Sequence, residues 1–120
     1  MVYIGVDLGG TNIAVGVVNE KWEVVSQAST KTLASRPYQE LIKDMAACAN
    51  KALQQAGLTQ DDVNSIGIGI PGAADENGNV IFCTNLGWKD IPLRTELQKY
   101  INKPVYVGND ATVAGLAESY

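Results

Sequence analysis

Short apolar runs separated by glycine and polar residues dominate this chain of 120 residues. The first run places Ile4, Val6 and Leu8 on one face, an alternation typical of a strand with one buried face. A second run follows Gly9-Gly10, and glycine supplies the backbone freedom that a tight hairpin needs. The pattern predicts an antiparallel meander of three strands at residues 3–8, 13–18 and 22–30, with Val24 and Val25 at the centre of the third.

A helical period follows the meander. Pro37 suits a first helical turn, Glu40 lies near the positive helix end, and Gly57 is a natural stop. Apolar residues recur at helical spacing between these signals. They are Leu41, Ile42, Met45, Ala49, Ala52, Leu53 and Ala56.

The rest of the chain alternates short apolar runs with turns and helical segments. The expected elements are a strand at 65–70, a turn-rich segment at 71–79, a short strand at 80–82, a helix marked by Leu93, Leu97, Tyr100 and Ile101, a strand at 105–107, and a third helix from Ala111 capped by Asp110. The predicted fold class is α/β: a three-strand antiparallel meander and then αβ(β)αβα, forming a mixed sheet with helices on its faces. Since the chain ends inside the third predicted helix, we expect more protein beyond it.

The composition narrows the function. Apolar residues make up 46% and charged residues 18%, which fits a globular domain. The net charge of −4 argues against a nucleic-acid partner, whose phosphates would need a basic surface. Because these 120 residues include no histidine, a histidine base or histidine metal ligand is excluded within them.

The cysteines and the first residues of the chain bear on the cellular compartment of the protein. Cys48 and Cys83 form no CxxC pair and lack metal-ligand spacing, which is typical of reduced intracellular thiols. The start MVYIGV has no basic region, and Asp7 interrupts its apolar run, so a buried strand is predicted rather than a signal peptide or membrane span. We therefore expect a cytoplasmic protein with no membrane partner.

The first chemical candidate is DLGGT at 7–11, which combines an acid, two glycines and a hydroxyl after a strand. Glycines let backbone N–H groups approach phosphate oxygens, and an aspartate at this place can hold Mg²⁺ through water. The alternative is a hairpin turn with polar ends. We favour phosphate binding, because a carboxylate on an apolar strand is costly without a task. The P-loop pattern GxxxxGK[ST] is absent.

The second candidate, GIGIPG at 67–72, matches the dinucleotide fingerprint GxGxxG formally. That fingerprint requires a helix directly after the glycines, whereas a proline and the turn-rich AADENGN follow here. We reject a dinucleotide site. The glycines are expected to allow close backbone approach beside a ligand pocket, or close helix packing.

Two further motifs each have two interpretations. NLGW at 85–88 predicts a loop whose amide and aromatic ring suit a sugar, or a surface loop pinned by a buried tryptophan. GND at 108–110 is the ordinary N-cap pattern of a helix, or it supplies Asp110 as a general base beside the amide of Asn109. The motifs taken singly do not decide between these readings.

Together these motifs resemble the N-terminal half of sugar kinases of the ROK family, which includes bacterial hexose kinases and related repressors. The matching segments are DLGGTNIAVGVV at 7–18, GIGIPG at 67–72, TNLGW at 84–88 and VGNDATVAGLAE at 107–118, in family order and spacing. The resemblance covers essentially the whole chain. It implies the ribonuclease H-like, or actin-like ATPase, fold that is shared with hexokinase, actin and Hsp70.

The resemblance implies a phosphate loop and a cation. Asp7, Gly9, Gly10 and Thr11 would form the loop that meets ATP and Mg²⁺. Asp7 would hold the metal through water.

The resemblance also implies a sugar site. Asp110 would be the catalytic base that deprotonates the sugar hydroxyl, commonly the one on C6, and Asn109 would bind a hydroxyl beside it. Gly78 and Asn85 would lie on loops near the sugar. Phosphoryl transfer of this kind depends mainly on alignment and charge neutralisation.

By the same resemblance, residues 1–120 are the N-terminal lobe of a two-lobe kinase, and the C-terminal lobe is absent from this chain. That lobe would carry a Glu-x-Gly-His segment of the sugar site, a structural zinc and most of the adenine pocket. We therefore expect this chain alone to be inactive. The full-length protein is expected to be a homodimer that uses ATP to phosphorylate a hexose, with glucose to glucose 6-phosphate as the leading reaction.

Two other functions stay open, a sugar-sensing regulator of the same family and a noncatalytic sugar-binding module. The repressors place a helix-turn-helix before the DxGGT strand, whereas here that strand begins at Val2. The presence of both Asp7 and Asp110 favours catalysis. The kinase hypothesis requires the tip of the first hairpin and the start of the third helix to line one cleft, with both carboxylates turned inward.

Overall fold

The computed structural model describes residues 1–109, without the side chains of Asn85 and Asn109. The strands in this part are β1 (Val2–Leu8), β2 (Asn12–Val18), β3 (Val24–Lys31), β4 (Val63–Ile70), β5 (Ala73–Ala74), β6 (Val80–Cys83), β7 (Trp88–Ile91) and β8 (Val105–Asn109). The helices are α1 (Tyr38–Gln55) and α2 (Leu93–Gln98), and single turns of 3-10 helix span Gln60–Asp62 and Thr84–Leu86.

A five-stranded mixed sheet in the order β3-β2-β1-β4-β8 forms the centre of the fold. β1 pairs with β2, and β2 with β3, in antiparallel directions, which confirms the predicted meander. β4 and β8 extend the sheet in parallel on the other side of β1. Because β1, β4 and β8 run in the same direction, they end together along one side of the sheet, called here the carboxyl edge.

One face of this sheet packs against α1. The predicted alternation of β1 is confirmed, since Val2, Ile4, Val6 and Leu8 are all buried. Burying one such side chain stabilises the fold by about 1.5–3 kcal/mol. The helix matches its predicted apolar stripe and buries Leu41, Ile42, Met45, Ala46, Cys48, Ala49, Ala52 and Leu53.

The end of α1 shows why a glycine stands at position 57. Gly57 has a φ of +72°, in the left-handed region that glycine enters without strain. Its N–H donates to the carbonyl of Gln54 at 3.0 Å, and the N–H of Leu58 donates to the carbonyl of Leu53 at 2.8 Å. These two bonds form the Schellman motif, which satisfies the last carbonyls of a helix. The predicted stop is confirmed.

The third strand of the meander differs from its prediction at the start. Val24 and Val25 are 56% and 43% exposed, so they do not form the centre of a buried strand. Trp22, predicted as the first residue of this strand, takes a left-handed φ of +63° in the preceding turn and ends any extended run there. Among residues 1–109, β3 has only β2 as a neighbouring strand, and a strand at a sheet edge leaves more of its surface to solvent.

The strands β5, β6 and β7 form a second, three-stranded sheet, and β5 lies in the segment 71–79 that was predicted to be rich in turns. β6 confirms the short strand expected there. The loop expected at 85–88 is wrong in its second half, because Trp88 begins β7 and pairs with Cys83. The Trp88 ring is buried and meets Tyr38 edge-on, with the ring centroids 6.5 Å apart.

The last predicted elements are confirmed in part. α2 ends at Gln98, so Tyr100 and Ile101 lie beyond it, although Ile101 is buried as the pattern predicts. β8 runs two residues longer than predicted, to Asn109. The third helix, expected from Ala111, lies outside the described residues. Within residues 1–109, no helix has the length and apolarity needed to cross a membrane.

Candidate functional site

The carboxyl edge brings three of the sequence motifs side by side. Asp7 of β1 is in register with Gly69 of β4, and Gly69 is in register with Gly108 of β8. Two strand spacings separate the first and last of these positions, or about 9.5 Å between Cα atoms. Asn109 follows directly, opposite Ile70. Ligands of open α/β sheets bind where parallel strands end, so this edge is the candidate site.

Glycine keeps the surface beside Asp7 open. On one side of it in the row, Gly69 and then Gly108 lack a side chain, so only backbone flanks the carboxylate across β4 and β8. On the other side its partner in β2 is Ala14, whose side chain is a single methyl group. The Asp7 side chain is exposed, whereas Val6 and Leu8 on either side are buried. Phosphate binding at this loop was predicted on the assumption that the Asp7 carboxylate is buried at a cost in free energy. That assumption is wrong, because the side chain is exposed. An exposed carboxylate beside bare backbone is accessible to a hydrated cation or a phosphate.

The tip of the β1–β2 hairpin is held by its own backbone. Residues 9–11 connect the two strands, and the N–H of Gly9 donates to the carbonyl of Asn12 at 3.0 Å. A Cβ on Gly9 would lie 3.1 Å from that same carbonyl oxygen, tighter than most real Cβ contacts. The turn thus favours glycine at position 9 for its own packing, and Gly10 and Thr11 form its exposed end.

Sequence reasoning missed a residue behind this tip. The Thr32 hydroxyl donates to the carbonyl of Gly9 at 2.7 Å, and its backbone N–H donates to the carbonyl of Thr11 at 2.9 Å. Its side chain is wholly buried. Little in the sequence indicates this role. Thr32 lies two residues beyond the predicted end of the third strand, and nothing in the neighbouring residues distinguishes it from an ordinary threonine near a strand end.

An ion pair connects Thr32 to α1. The guanidinium of Arg36 donates through Nη2 to the carbonyl of Thr32 at 2.9 Å and to Oδ2 of Asp44 at 2.7 Å. Both charged side chains are about a third exposed. A chain of hydrogen bonds therefore connects the hairpin tip, through Thr32 and Arg36, to Asp44 in the first half of α1.

The loop that carries Gly78 packs against Arg94, which reaches the amino end of β8. Gly78 has a φ of +81°, and a Cβ there would lie 2.6 Å from both Cβ and Nε of Arg94. Arg94 donates through Nε to the carbonyl of Val105 at 2.7 Å, at the amino end of β8. These contacts give a structural reason for glycine at 78. Its predicted place near a sugar stays a prediction.

Asp75 organises the same loop. Its Oδ1 accepts hydrogen bonds from the N–H groups of Asn77 and Asn79, both at 2.9 Å, and its Oδ2 accepts one from the Asn79 amide at 3.1 Å. These bonds from Asn79, with smaller contributions from Asn77 and Arg94, hold the pKa of Asp75 below its ordinary value.

The remaining sequence candidates are placed less completely. Asn85 lies in the single helical turn Thr84–Leu86, which Gly87 ends with a φ of +66°. Asn109 is the last residue of β8, and Asp110 lies outside the described residues. The glycine pattern at 67–72 is followed by β5 rather than a helix, which confirms that it is not a dinucleotide fingerprint.

The sheet order, the glycine hairpin and the row of strand ends define an actin-like ATPase fold, and solved structures agree. A ROK hexokinase from Thermus thermophilus superposes with a TM-score of 0.84 at 33% identity, over 98% of this chain and 38% of that one. A ROK family glucokinase from Streptomyces griseus, in complex with glucose and AMPPNP, gives a TM-score of 0.83 at 33% identity, over 96% of this chain and 35% of that one.

The sequence comparison gives the family. The sequence profile of the ROK family matches residues 3–120, and the chain belongs to that family. A glucokinase from Halalkalibacterium halodurans is 31% identical over 98% of this chain and 36% of its own length. A xylose repressor from Caldicellulosiruptor bescii is also 31% identical, over 98% of this chain and 30% of its own length. The chain thus spans about a third of these relatives.

Proposed function

We propose that residues 1–120 form the N-terminal lobe of an ATP-dependent hexose kinase, with glucose as the leading substrate and glucose 6-phosphate as the product. The register of Asp7, Gly69 and Gly108 carries this proposal, because it sets the phosphate-loop motif level with the end of β8, two strands away, whose last residue Asn109 precedes Asp110 in the sequence. The glucokinase complexed with glucose and AMPPNP supports it, as does the glucokinase relative at 31% identity.

The phosphate-loop residues would bind the nucleotide. Gly9, Gly10 and Thr11 would donate backbone N–H groups and a hydroxyl to phosphate oxygens. Residues 1–109 include no group of three His, Cys, Asp or Glu side chains able to cage a metal ion. Mg²⁺ needs no such cage, since it commonly binds one or two carboxylates together with substrate phosphates and waters. The exposed carboxylate of Asp7 fits this use, and the bound metal would neutralise phosphate charge.

The sugar side would be supplied by the end of β8. Asp110 would accept the proton of the attacking hydroxyl, and Asn109 would hold that hydroxyl or its neighbour. A base placed in this way contributes about 10²- to 10⁴-fold to the rate. Gly78 and Asn85 complete the proposed sugar contacts. The rest of the proposal is a C-terminal lobe with a structural zinc, a homodimer and a cytoplasmic location.

The test is Asp110→Asn in the full-length protein, with glucose-dependent ADP release as the measurement. Turnover should fall by about 10²- to 10⁴-fold, because the base is lost. Glucose binding, followed by calorimetry, should be largely retained, since an amide still hydrogen-bonds the sugar. Asp61→Asn is the matched control, because Asp61 is exposed in the turn before β4, at the opposite end of that strand. Full turnover by Asp110→Asn would refute the assigned role.

The repressor relative supports a second candidate function, a sugar-responsive regulator. A regulator would bind a hexose without turning it over and would bind operator DNA in the full-length protein. A panel of hexoses assayed with ATP separates the two functions. Sugar-dependent ADP release supports the kinase, whereas sugar binding with no ADP release at saturating ATP supports the regulator or a noncatalytic module.

A further inference from the structure

The buried hydroxyl behind the hairpin tip points to a residue that controls the phosphate loop. Within residues 1–109, Thr32 is the polar residue whose side chain is wholly buried. A buried polar group is costly unless it is hydrogen-bonded, and this one donates at 2.7 Å to the carbonyl of Gly9. We propose that Thr32 is a positioning residue that orients the phosphate loop for nucleotide binding. This inference rests on the proposed kinase function.

The geometry of the peptide unit explains how a residue behind the loop acts at its front. In a trans peptide, the C=O of one residue and the N–H of the next point in opposite directions. Thr32 draws the Gly9 carbonyl inward, so the N–H of Gly10 is turned outward, on the exposed side of the tip. The Thr32 N–H also holds the carbonyl of Thr11 at 2.9 Å. Two of the three loop peptides are thus fixed by one residue.

A rigid element holds Thr32 in turn. Arg36 donates to the Thr32 carbonyl at 2.9 Å and pairs with Asp44 at 2.7 Å, on a helix of 18 residues. Hydrogen bonds that involve a charged partner are the stronger kind. Phosphoryl transfer depends on donors set in place before the substrate arrives, because reorienting them costs free energy at the moment of binding. The arrangement of Thr32, Arg36 and Asp44 meets that requirement for the Gly10 peptide.

The test compares Thr32→Val with Thr32→Ser in the full-length protein. Valine keeps the branched shape and loses the hydroxyl, whereas serine keeps the hydroxyl. We expect Thr32→Val to weaken binding of Mg²⁺–AMPPNP, measured by calorimetry, by about 10- to 100-fold. The KM for ATP should rise in parallel while the KM for glucose stays unchanged. Thr32→Ser should restore most of the nucleotide affinity.

Thr30→Val is the matched control, because it makes the same substitution two residues earlier in β3. It should leave AMPPNP affinity unchanged. Wild-type AMPPNP affinity in a folded Thr32→Val protein would overturn the proposal. So would equal losses of AMPPNP and glucose affinity that serine does not restore, because they would show a merely structural role.

Arg36→Gln provides a second variant if Thr32→Val fails to fold. It leaves the buried hydroxyl in place and removes the link to α1. We expect faster hydrogen exchange at the Thr32 amide, which is hydrogen-bonded to the Thr11 carbonyl, and weaker AMPPNP binding, and unchanged values of both would overturn the proposal. If the wild type binds AMPPNP but phosphorylates no hexose, the kinase function is refuted, whereas the AMPPNP comparison still decides the role of Thr32.

Discussion

Single residues at the carboxyl edge owe their properties to their neighbours in the sheet. Asp7 is a carboxylate on an apolar strand, yet it is exposed because it points away from the face that buries Val6 and Leu8. Its neighbours toward β4 and β8 are glycines and its partner in β2 is Ala14, so no side chain larger than a methyl group flanks it in the row. The open environment of Asp7 thus follows from the pleat and the register together, and a cation could approach it without displacing protein.

Asp75 offers a test at the residue scale that needs no activity. Its native pKa lies below the ordinary value of 3.8, chiefly because Asn79 donates hydrogen bonds to the carboxylate. A carboxyl whose pKa is lowered on folding stabilises the native state above its unfolded pKa, and that contribution is lost as the pH falls through the folded pKa. Asp75 therefore contributes stability at neutral pH and loses it in acid, below pH about 4.

We expect an NMR titration of the Asp75 carboxyl to give a pKa below the ordinary aspartate value of 3.8. Asn79→Ala should raise the Asp75 pKa part of the way toward its ordinary value, since the hydrogen bond from the Asn79 side chain is lost while the backbone N–H at position 79, the largest cause of the shift, still donates. Asn77→Ala is the control, because its backbone N–H still donates and the pKa should not move. A native Asp75 pKa at the ordinary value of 3.8 would contradict the assignment.

The sequence pattern could not reveal Thr32. Its hydroxyl bonds to Gly9, which is 23 residues away in the chain, and that proximity exists only once β3 has paired with β2. Asp7 and Gly9 could be found, because an acid and two glycines after a strand form a local pattern with known chemistry. Motifs made of neighbouring residues are visible in a sequence, whereas a supporting contact across two strands is not.

Among the elements, those with an internal period were the most predictable. β1 alternates and α1 repeats at helical spacing, so each shows its buried face in its own residues. β5 and β7 have two and four residues, and their strand geometry comes from pairing with β6. Such short strands carry too few side chains to show a period, which is why β5 was predicted as part of a turn-rich segment and Trp88, the first residue of β7, as part of a loop.

The contact between β5 and β6 explains the last glycine of the pattern at 67–72. A Cβ on Gly72 would collide with the Phe82 carbonyl and lie 3.0 Å from the Cα of Cys83, and backbone atoms cannot yield as a flexible side chain can. In contrast, nothing lies within 4 Å of a Cβ added to Gly67 among the described residues. The same change at these two glycines therefore has opposite expected effects.

We expect Gly72→Ala to destabilise the 120-residue chain by about 1–3 kcal/mol, the usual cost of overpacking. Gly67→Ala should be neutral or stabilise the chain by up to about 1 kcal/mol, since alanine loses less backbone entropy than glycine on folding. Urea unfolding followed by circular dichroism measures both values. Equal stability of the two variants would contradict the β5–β6 packing described here.

At the scale of the whole molecule, the residues proposed to bind phosphate and metal lie, within the described part, on one side of the carboxyl edge only. Asp7 and the hairpin tip lie on β1, and Asn109 ends β8 two strands away. A transferred phosphoryl group must be aligned with its acceptor and shielded from water, and well-oriented groups gain effective concentrations of about 10⁵–10⁸ M. The chain spans about a third of its glucokinase relative, so the proposal assigns the opposite wall to residues beyond this chain.

The isolated 120-residue chain should therefore show no glucose-dependent ADP release above background, and its affinity for AMPPNP should fall by at least about tenfold from that of the full-length protein. A coupled assay and calorimetry measure the two quantities, with the full-length protein as the positive control. The 120-residue chain with Asp110→Asn is the control for a contaminating kinase. Any ADP release that remains in this variant does not depend on the proposed base. Sustained turnover by the isolated chain, abolished by Asp110→Asn, would show that one lobe suffices and would contradict the two-walled site.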